Sequence, residues 1–481
     1  MPRQQQSIDG FQIRIYQFAF GLLMLGVFLF AVRSMMSGVY SRVGLVASSI
    51  VGIILILLLD RRYWLLLPFL YASGFTIPGL PFNGRELGCL VVFAVYCIRI
   101  AIRRDRPARI DRSLLVAAPL LLWMFFIFLL NPVGLAMFGS ETIGGRFYFQ
   151  ILIGGLALYA ISAQRIDEHD ARLLFFGLLF FSVYSVVRGV VFPGADPDAI
   201  VFTGAEPEVS TRYAFIGCAT IYTILFSHWS LSRVMVSPFK IFLFAVLGLL
   251  TMYSGKRRAF GSLALVPLFR VFLTGKERLV TAVMVVLAAI AVCFVVLGDG
   301  KAYELPQSAK RTLAIVVPAY RANGDGGIHD IFRQEMREQA RLVIRDNPWL
   351  GRKGFAMRLG ETAWINFGGG LTSLFASHAY SGNWHSTWYA YAADFGIPCM
   401  ILWLLFNVYV VWFAYKACRT IPQGTYLSAC CLYFSFLIYL DFAFSYTSGH
   451  SAVTTMTHFI HYGMILALFN GYRKQCGLEP A

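Results

Sequence analysis

Long apolar runs separated by short polar stretches make up most of this chain. A bilayer core needs about 20 apolar residues per helix, within a range of about 17 to 25. Runs of this kind predict fourteen spans, centred near residues 24, 51, 71, 95, 122, 155, 181, 222, 246, 266, 288, 400, 436 and 461. The third and tenth are short or interrupted by Gly and Pro. One polar stretch is much longer than the others, from about Leu297 to Trp384.

The composition agrees with this pattern. The 481 residues are 58% hydrophobic and only 14% charged, with a mean hydropathy of +0.65, which is more apolar than a soluble domain of this length. The fold class predicted is an all-α polytopic membrane protein with one large, mainly helical loop. No small-residue cleavage site follows the first apolar run, so we expect a retained helix there.

The distribution of basic residues predicts the orientation. A net charge of +16 could suggest nucleic acid, but in a membrane protein Lys and Arg first report which loops face the cytoplasm, so we expect no nucleic-acid partner. With the N-terminus inside, every predicted inner loop is basic: 60–62, 103–112, 164–165, 232–233, 276–278, 416–419 and 473–474. An even number of spans places the C-terminus inside as well and the long polar segment outside.

These expectations give a domain organisation. Residues 1–297 would hold the first eleven spans, 298–385 a periplasmic loop subdomain, and 386–481 the last three spans with a cytoplasmic tail. The expected location is a bacterial inner membrane. None of the nine cysteines lies in the long segment, so neither a disulfide framework nor a Cys-based metal site supports it.

One amphipathic helix is predicted inside the loop subdomain. The run from His329 to Arg345 lacks Gly and Pro, and Asp346-Asn-Pro348 ends it. An apolar stripe is expected from Ile331 or Phe332, Met336, Ala340, Val343 and Ile344, and the helix is expected near the membrane surface. Arginines recur every four residues on another face, at Arg333, Arg337, Arg341 and Arg345.

The arginine face has two interpretations. Guanidinium groups bind phosphate oxygens two at a time, so the four arginines are candidate phosphate or glycan contacts. The alternative is a solvated face with local ion pairs, Asp330 with Arg333 and Glu338 with Arg341.

His385 is the candidate general base. It stands in Gly382-Asn-Trp-His-Ser-Thr-Trp, at the predicted mouth of the transmembrane helix near residue 400. A neutral imidazole can accept a proton from a sugar hydroxyl at neutral pH. The alternative is a histidine at the membrane interface whose hydrogen bonds are satisfied and which has no catalytic role.

Three further arginines are candidate anion ligands. Arg257 and Arg258 lie in a short outer hairpin, Ser254-Gly-Lys-Arg-Arg-Ala259, against the usual inside bias of positive charge, and Arg212 begins the eighth span. A substrate diphosphate or lipid headgroups could be their partner, and Arg212 could instead extend to the interface. The acids Asp394 and Asp441 fall in apolar runs, so each is expected to pair with an arginine of this cluster.

Several motifs are absent. The first outer loop, 33–42, has no Asp-x-Asp or Glu-x-Asp pair, and no HExxH, Walker or clustered Cys/His motif occurs in the chain. We therefore expect a reaction without a metal or cofactor.

Taken in order, these residues resemble the O-antigen ligase and polymerase superfamily of membrane glycosyltransferases. The segment of Arg212 is similar to the family's outer-loop arginine, and Arg258 matches the arginine of its Ser-Arg-Gly/Ala motif. Residues 345–355, Arg-Asp-Asn-Pro-Trp-Leu-Gly-Arg-Lys-Gly-Phe, resemble its Asn/His-Pro-x-x-Gly-x-Gly-Phe/Tyr element, and 385–398 resemble its histidine helix. The similarity covers about 140–415. Ser386, Arg257 and Cys399 depart from the pattern.

The resemblance implies inverting, metal-independent glycan transfer from undecaprenyl diphosphate. Arg212, Arg258 and Arg257 would bind the diphosphate, and His385 would take the proton of the acceptor hydroxyl. The partners would be a polyprenyl-diphosphate-linked donor, a glycan acceptor, the lipid bilayer and other polysaccharide assembly proteins.

Four functions follow as hypotheses, the last of them a pure scaffold in a polysaccharide assembly complex. The first is a polymerase of exopolysaccharide or O-antigen repeat units, and the second is a ligase that transfers O-antigen to lipid A-core. A transporter of lipid-linked glycans is the third, although neither repeated halves nor clearly broken midplane helices are evident.

Overall fold

A computed structural model describes most of the chain. The described residues are 59–68, 84–101, 112–133, 142–143, 145–191, 214–254, 256–299, 301–314, 317, 320, 326–355, 357–358, 384–446 and 451–478. The predicted spans near 24 and 51, much of the one near 71, and Arg212 lie outside them.

The chain divides into two compact units, Met1–Arg106 and Pro107–Ala481. In the first unit, a 3-10 turn at Asp60–Leu65 and helix α1 at Gly84–Ala101 are joined by an ion pair between Arg99 and Asp60, 2.7 Å apart.

In its described residues, the regular structure of the second unit is helical apart from one short strand pair. Its elements are α2 (Arg112–Leu115), α3 (Ala118–Leu130), β1 (Thr142–Ile143), α4 (Gly145–Ser162), α5 (Glu168–Val191), α6 (Ile216–His228), α7 (Leu231–Met235), α8 (Pro238–Tyr253), α9 (Arg257–Thr274), α10 (Arg278–Gly298), α11 (Gln307–Leu313), α12 (Gly326–Asp346), β2 (Met357–Arg358), α13 (Thr387–Phe395), α14 (Ile397–Thr420), α15 (Tyr426–Ala443) and α16 (Ser451–Gln475). Strands β1 and β2 pair antiparallel, with Thr142 opposite Arg358.

Five described segments are long and apolar enough to cross a membrane: Arg112–Leu130, Glu168–Val191, Ile397–Thr420, Tyr426–Ala443 and Ser451–Gln475. Every predicted span from the fourth onwards coincides with a helix. The total of fourteen and the orientation of the termini stay predictions.

Helix α16 lies at the centre of the second unit. In its apolar window 89% of residues are buried, against 22% in α5, so α16 contacts protein along nearly its whole length. Small residues allow its close packing on α4: a Cβ on Gly154 would lie 2.8 Å from the Cα of Met456. A Cβ on Gly463 of α16 would likewise lie close to Ile161 of α4, 3.3 Å from its Cβ.

One end of the bundle is held by acidic helix caps. The Glu168 carboxylate accepts hydrogen bonds from the amides of Tyr426 and Leu427, at 2.7 and 3.0 Å, and so satisfies the first turn of α15. Glu277 accepts from the amides of Leu231 and Ser232 in α7. The N-termini of α5 and α15 therefore share an end, while Arg258 at the start of α9 contacts the far end of α15.

The helix that follows His385 differs from the prediction. A transmembrane helix was expected to begin at His385, but the short helix α13 comes first, and the span α14 starts only at Ile397. Gly396 separates them with φ +88°, a conformation that other residues rarely adopt. His385 is therefore at the mouth of a nine-residue helix, not of a membrane span.

Candidate functional site

An ion pair joins the start of α9 to the end of α15. An Arg258 Nη2 donates to Asp441 Oδ1, and the guanidinium lies over the Phe444 ring, 5.8 Å from its centroid. The Arg258 side chain is 48% exposed and that of Asp441 14% exposed, so the arginine lies at the surface of the protein while the carboxylate is mostly buried. This confirms the expectation that Asp441 pairs with one of the three candidate anion-binding arginines.

Two buried histidines face the same carboxylate. Asp441 Oδ2 is 3.5 Å from His458 Nε2 and 3.9 Å from His461 Nδ1. Because His458 and His461 are three residues apart on α16, they share one helix face. Their side chains are 1% and 3% exposed, and the Trp403 ring of α14 stacks on His458. We name Arg258, Asp441, His458 and His461 the Asp441 cluster.

His385 is held close to this cluster through the end of α15. The Thr387 amide, two residues after His385, donates to the Ser445 carbonyl at 2.7 Å. The Trp388 indole donates to the Ser445 hydroxyl, also at 2.7 Å. Because Ser445 follows Asp441 by about one helical turn, roughly 5–6 Å, α13 begins beside the residue that holds Arg258.

The backbone of His385 is in the left-handed region, with φ +52°. For a residue other than glycine this conformation costs on the order of 1–3 kcal/mol and persists only where surrounding contacts impose it. The contacts of Thr387 and Trp388 with Ser445, on the C-terminal side of His385, are of that kind. The backbone of His385 therefore has an imposed conformation, and its side chain is half buried.

Asp394 has a different partner from the one expected. Its carboxylate, fully buried, lies 2.9 Å from Arg352 Nε, so the pairing with an outer-cluster arginine was wrong. The Trp384 indole donates to Oδ1 and the Ser451 hydroxyl to Oδ2, each at 2.9 Å. Asp394 thereby connects α13, the start of α16 and the segment after α12.

Two of the sequence motifs pack directly on each other. The Arg352 amide donates to the Ala393 carbonyl at 2.8 Å, and the Ile397 amide donates to the Pro348 carbonyl at 2.8 Å. A Cβ at Gly396 would collide with the Trp349 carbonyl. The Asn-Pro-Trp-Leu-Gly-Arg segment therefore fixes the end of α13 and the start of α14, and it serves as a support for the site.

The predicted amphipathic helix is present as α12, and its apolar stripe faces protein. Met336 and Ala340 are fully buried against Trp384, Ala390 and Ala393, with Val343 and Ile344 beside them. The side chains of Ile331 and Phe332 lie outside the described part of the chain. Because α13 covers Met336 and Ala340, this part of the stripe needs no lipid partner.

The four arginines of α12 have different surroundings. Arg341 pairs with Glu338, as the local alternative predicted, and its Nε donates to the Tyr389 hydroxyl at 3.2 Å. That hydrogen bond and the nearby Glu338 raise the pKa of Arg341. Arg345 is 72% exposed and pairs with Asp346, while Arg333 is half buried.

Arg337 is set against an aromatic ring. Its guanidinium lies 4.9 Å from the centroid of Tyr446, and its buried Nε has no hydrogen-bond partner among the described residues. The ring of Tyr446 is 6.2 Å from that of Tyr389, so two tyrosines lie beside the start of α13. Arg337 thus contacts Tyr446, which lies just past the end of α15.

Not every predicted residue joins the site. Arg257 is half buried at the first turn of α9, next to Arg258, but Arg212 lies outside the described residues. Among the described residues, Asp167, His169 and Asp170 form a group that could hold a metal ion. In this group, the Asp170 amide donates to Asp167 Oδ1 at the start of α5, as in a helix cap, at the bundle end opposite Arg258.

Sequence reasoning missed Arg352, His458 and His461. The two histidines carry a usable signal, since ionisable residues three apart in an apolar run face one side of a helix. Arg352 carries none, because its partner Asp394 is distant in sequence and only the docked loop joins them.

Comparison with known proteins returned no relative: no protein-family model and no curated protein matches this chain.

Proposed function

We propose that this protein is an inverting glycosyltransferase that polymerises undecaprenyl-diphosphate-linked oligosaccharide units of an exopolysaccharide or O-antigen at the periplasmic face of the inner membrane. The observation that carries the proposal is that the residues just after His385 and the half-exposed Arg258 guanidinium both contact the same end of α15. Thr387 and Trp388 hydrogen-bond to Ser445, and Arg258 pairs with Asp441.

The chemistry needs one base and fixed positive charge. The acceptor hydroxyl oxygen attacks the anomeric carbon of the donor sugar, and the bond from that carbon to the diphosphate oxygen breaks with inversion. His385 takes the hydroxyl proton, and the diphosphate leaves with the electron pair. Fixed cations stabilise the charge that develops on the leaving group, so a general acid is not needed there.

Arg258 is the central ligand for the diphosphate in this proposal. Its side chain is half exposed at the start of α9, and Arg257 adds a second charge on the same helix turn. Arg212 is proposed as a third ligand by the sequence resemblance alone.

Tyr389 and Tyr446 are the proposed glycan contacts. Their rings lie beside the start of α13, where stacking on a sugar face would orient the acceptor hydroxyl toward His385. Arg337 beside Tyr446 would bind a phosphate or carboxylate of the glycan.

The test is a defined assay with purified protein in lipid nanodiscs. Lipid-linked repeat units alone should give products longer than one unit, and His385→Asn should remove that activity while leaving donor binding intact. The matched control is His169→Asn, an exposed histidine at the other end of the bundle.

Two outcomes would replace the polymerase. Growth of product only when lipid A-core is added would assign the ligase reaction. Movement of labelled lipid-linked glycan across the bilayer without any new glycosidic bond would assign a transporter.

A further inference from the structure

The Asp441 cluster places one negative charge between one arginine and two histidines. Arg258 is its permanently charged member, because a guanidinium does not lose its proton in proteins. With both imidazoles neutral, Arg258 and Asp441 cancel, and the buried cluster carries no net charge.

That neutrality opposes anion binding. An arginine already paired with a carboxylate offers little net attraction to a diphosphate, and moving Arg258 toward the ligand would leave Asp441 uncompensated where it is 14% exposed. An isolated buried carboxylate is costly even after relaxation of the protein. Some positive charge must replace that of Arg258.

His458 and His461 are the groups able to supply it. Both lie within 4 Å of the carboxylate oxygen that Arg258 does not hold, and an imidazole changes its charge near physiological pH. One proton on either ring would restore neutrality beside Asp441 without moving any backbone.

We propose that the Asp441 cluster takes up a proton from water when a lipid-linked diphosphate binds to Arg258, so that His458 and His461 are positioning residues for the donor. This inference rests on the proposed function. It makes the donor's affinity depend on pH: binding strengthens as the pH falls, by up to about tenfold per pH unit for one proton.

Other titratable groups near the cluster are otherwise engaged. On α13, the Tyr391 hydroxyl donates to the Ser451 carbonyl, and Asp394 is paired with Arg352. Among described residues, α14 faces His458 with Trp403, which does not titrate. His385 is the imidazole proposed as the base and needs its own control.

The experiment counts the protons taken up when the lipid binds. Undecaprenyl diphosphate without sugar is titrated into the full-length protein in nanodiscs by calorimetry, in two buffers of different ionisation enthalpy, between about pH 6 and 8. Wild type should take up close to one proton more per bound lipid than the His458→Gln/His461→Gln double variant. The double variant also corrects for protons that the diphosphate itself releases. His385→Asn should keep the uptake of wild type.

A second variant tests the direction of the effect. Asp441→Asn removes the charge that competes for Arg258, so the lipid should bind at least as tightly as to wild type and with little pH dependence. A purely structural role for Asp441 predicts weaker binding by this variant.

The outcomes separate this inference from the proposed function. Tight binding with equal proton uptake in wild type and double variant overturns the inference and leaves the transferase proposal intact. Absence of diphosphate binding to wild type at every pH overturns both.

Discussion

Arg352 and Asp394 form an ion pair between the segment after α12 and the end of α13, with 2.9 Å between Arg352 Nε and Asp394 Oδ1. Asp394 is fully buried and Arg352 is 17% exposed. Trp384 and Ser451 each donate a hydrogen bond to the Asp394 carboxylate, one to each oxygen. The pair thus fixes α13, and with it the position of His385.

Breaking this pair should destabilise the protein in an asymmetric way. Arg352→Met leaves a buried, uncompensated carboxylate and should cost roughly 3–5 kcal/mol of unfolding free energy. Asp394→Asn leaves the Arg352 guanidinium without this carboxylate, but at 17% exposed that group keeps some contact with solvent, so this variant should cost less. The measurement is denaturant unfolding in detergent micelles, and the double variant should be more stable than Arg352→Met alone. Equal losses for all three would refute the assignment of a structural ion pair.

Replacing His385 by Asn separates chemistry from backbone strain. Asn tolerates the left-handed conformation that His385 adopts, so the fold should be retained. Loss of a general base should lower kcat by about 10²–10⁴-fold. Activity is measured as glycan length per unit time, and the melting temperature serves as the check on folding. A variant with unchanged kcat would remove His385 from the base role.

Arg337 and Arg345 make a matched pair on one helix. Arg337→Gln removes a guanidinium held over Tyr446, so the KM for the lipid-linked glycan should rise roughly tenfold or more, the loss expected for a hydrogen bond to a charged group. Arg345 is exposed and paired with Asp346, and Arg345→Gln should leave KM within about twofold. Equal effects of both substitutions would argue for general attraction by the arginine face.

The turn after α10 should respond to acid. The Leu305 amide, at 2.8 Å from the Asp299 carboxylate, is the main cause that keeps the pKa of Asp299 below its usual value, followed by the Tyr320 hydroxyl and Lys310. A folded-state pKa below the unfolded value means that stabilisation is present above about pH 4 and is lost as the pH falls through the folded-state pKa.

Hydrogen exchange measures this effect. Protection of the Leu305 amide, corrected for the intrinsic exchange rate, should be retained near neutral pH and lost in acid. Asp299→Asn should show lower protection with no such pH dependence. An identical acid response in the variant would assign the transition to another group.

The candidate site was predicted unevenly, and individual residues show why. His385 and Arg258 were identified because ionisable residues at the ends of apolar runs are visible in the sequence. The pairing of Asp441 with Arg258 was expected in outline, because a buried acid needs a cation. The partner of Asp394 was predicted wrongly because no local pattern indicates that residues 348–352 dock on the end of α13. His385 was placed on a transmembrane helix because the apolar run after it appears continuous in the sequence. In the structure, Gly396 divides that run into two helices.

The sequence by itself determined where helices form, since a run of apolar residues or an amphipathic period depends only on neighbours along the chain. It also identified the ionisable residues that could do chemistry. Tertiary structure alone decided which of these residues meet: His458 and His461 with Asp441, Arg352 with Asp394, and Ser445 with the helix that follows His385. These contacts depend on how helices distant in sequence pack and on the few hydrogen bonds that fix their ends, neither of which local pattern encodes.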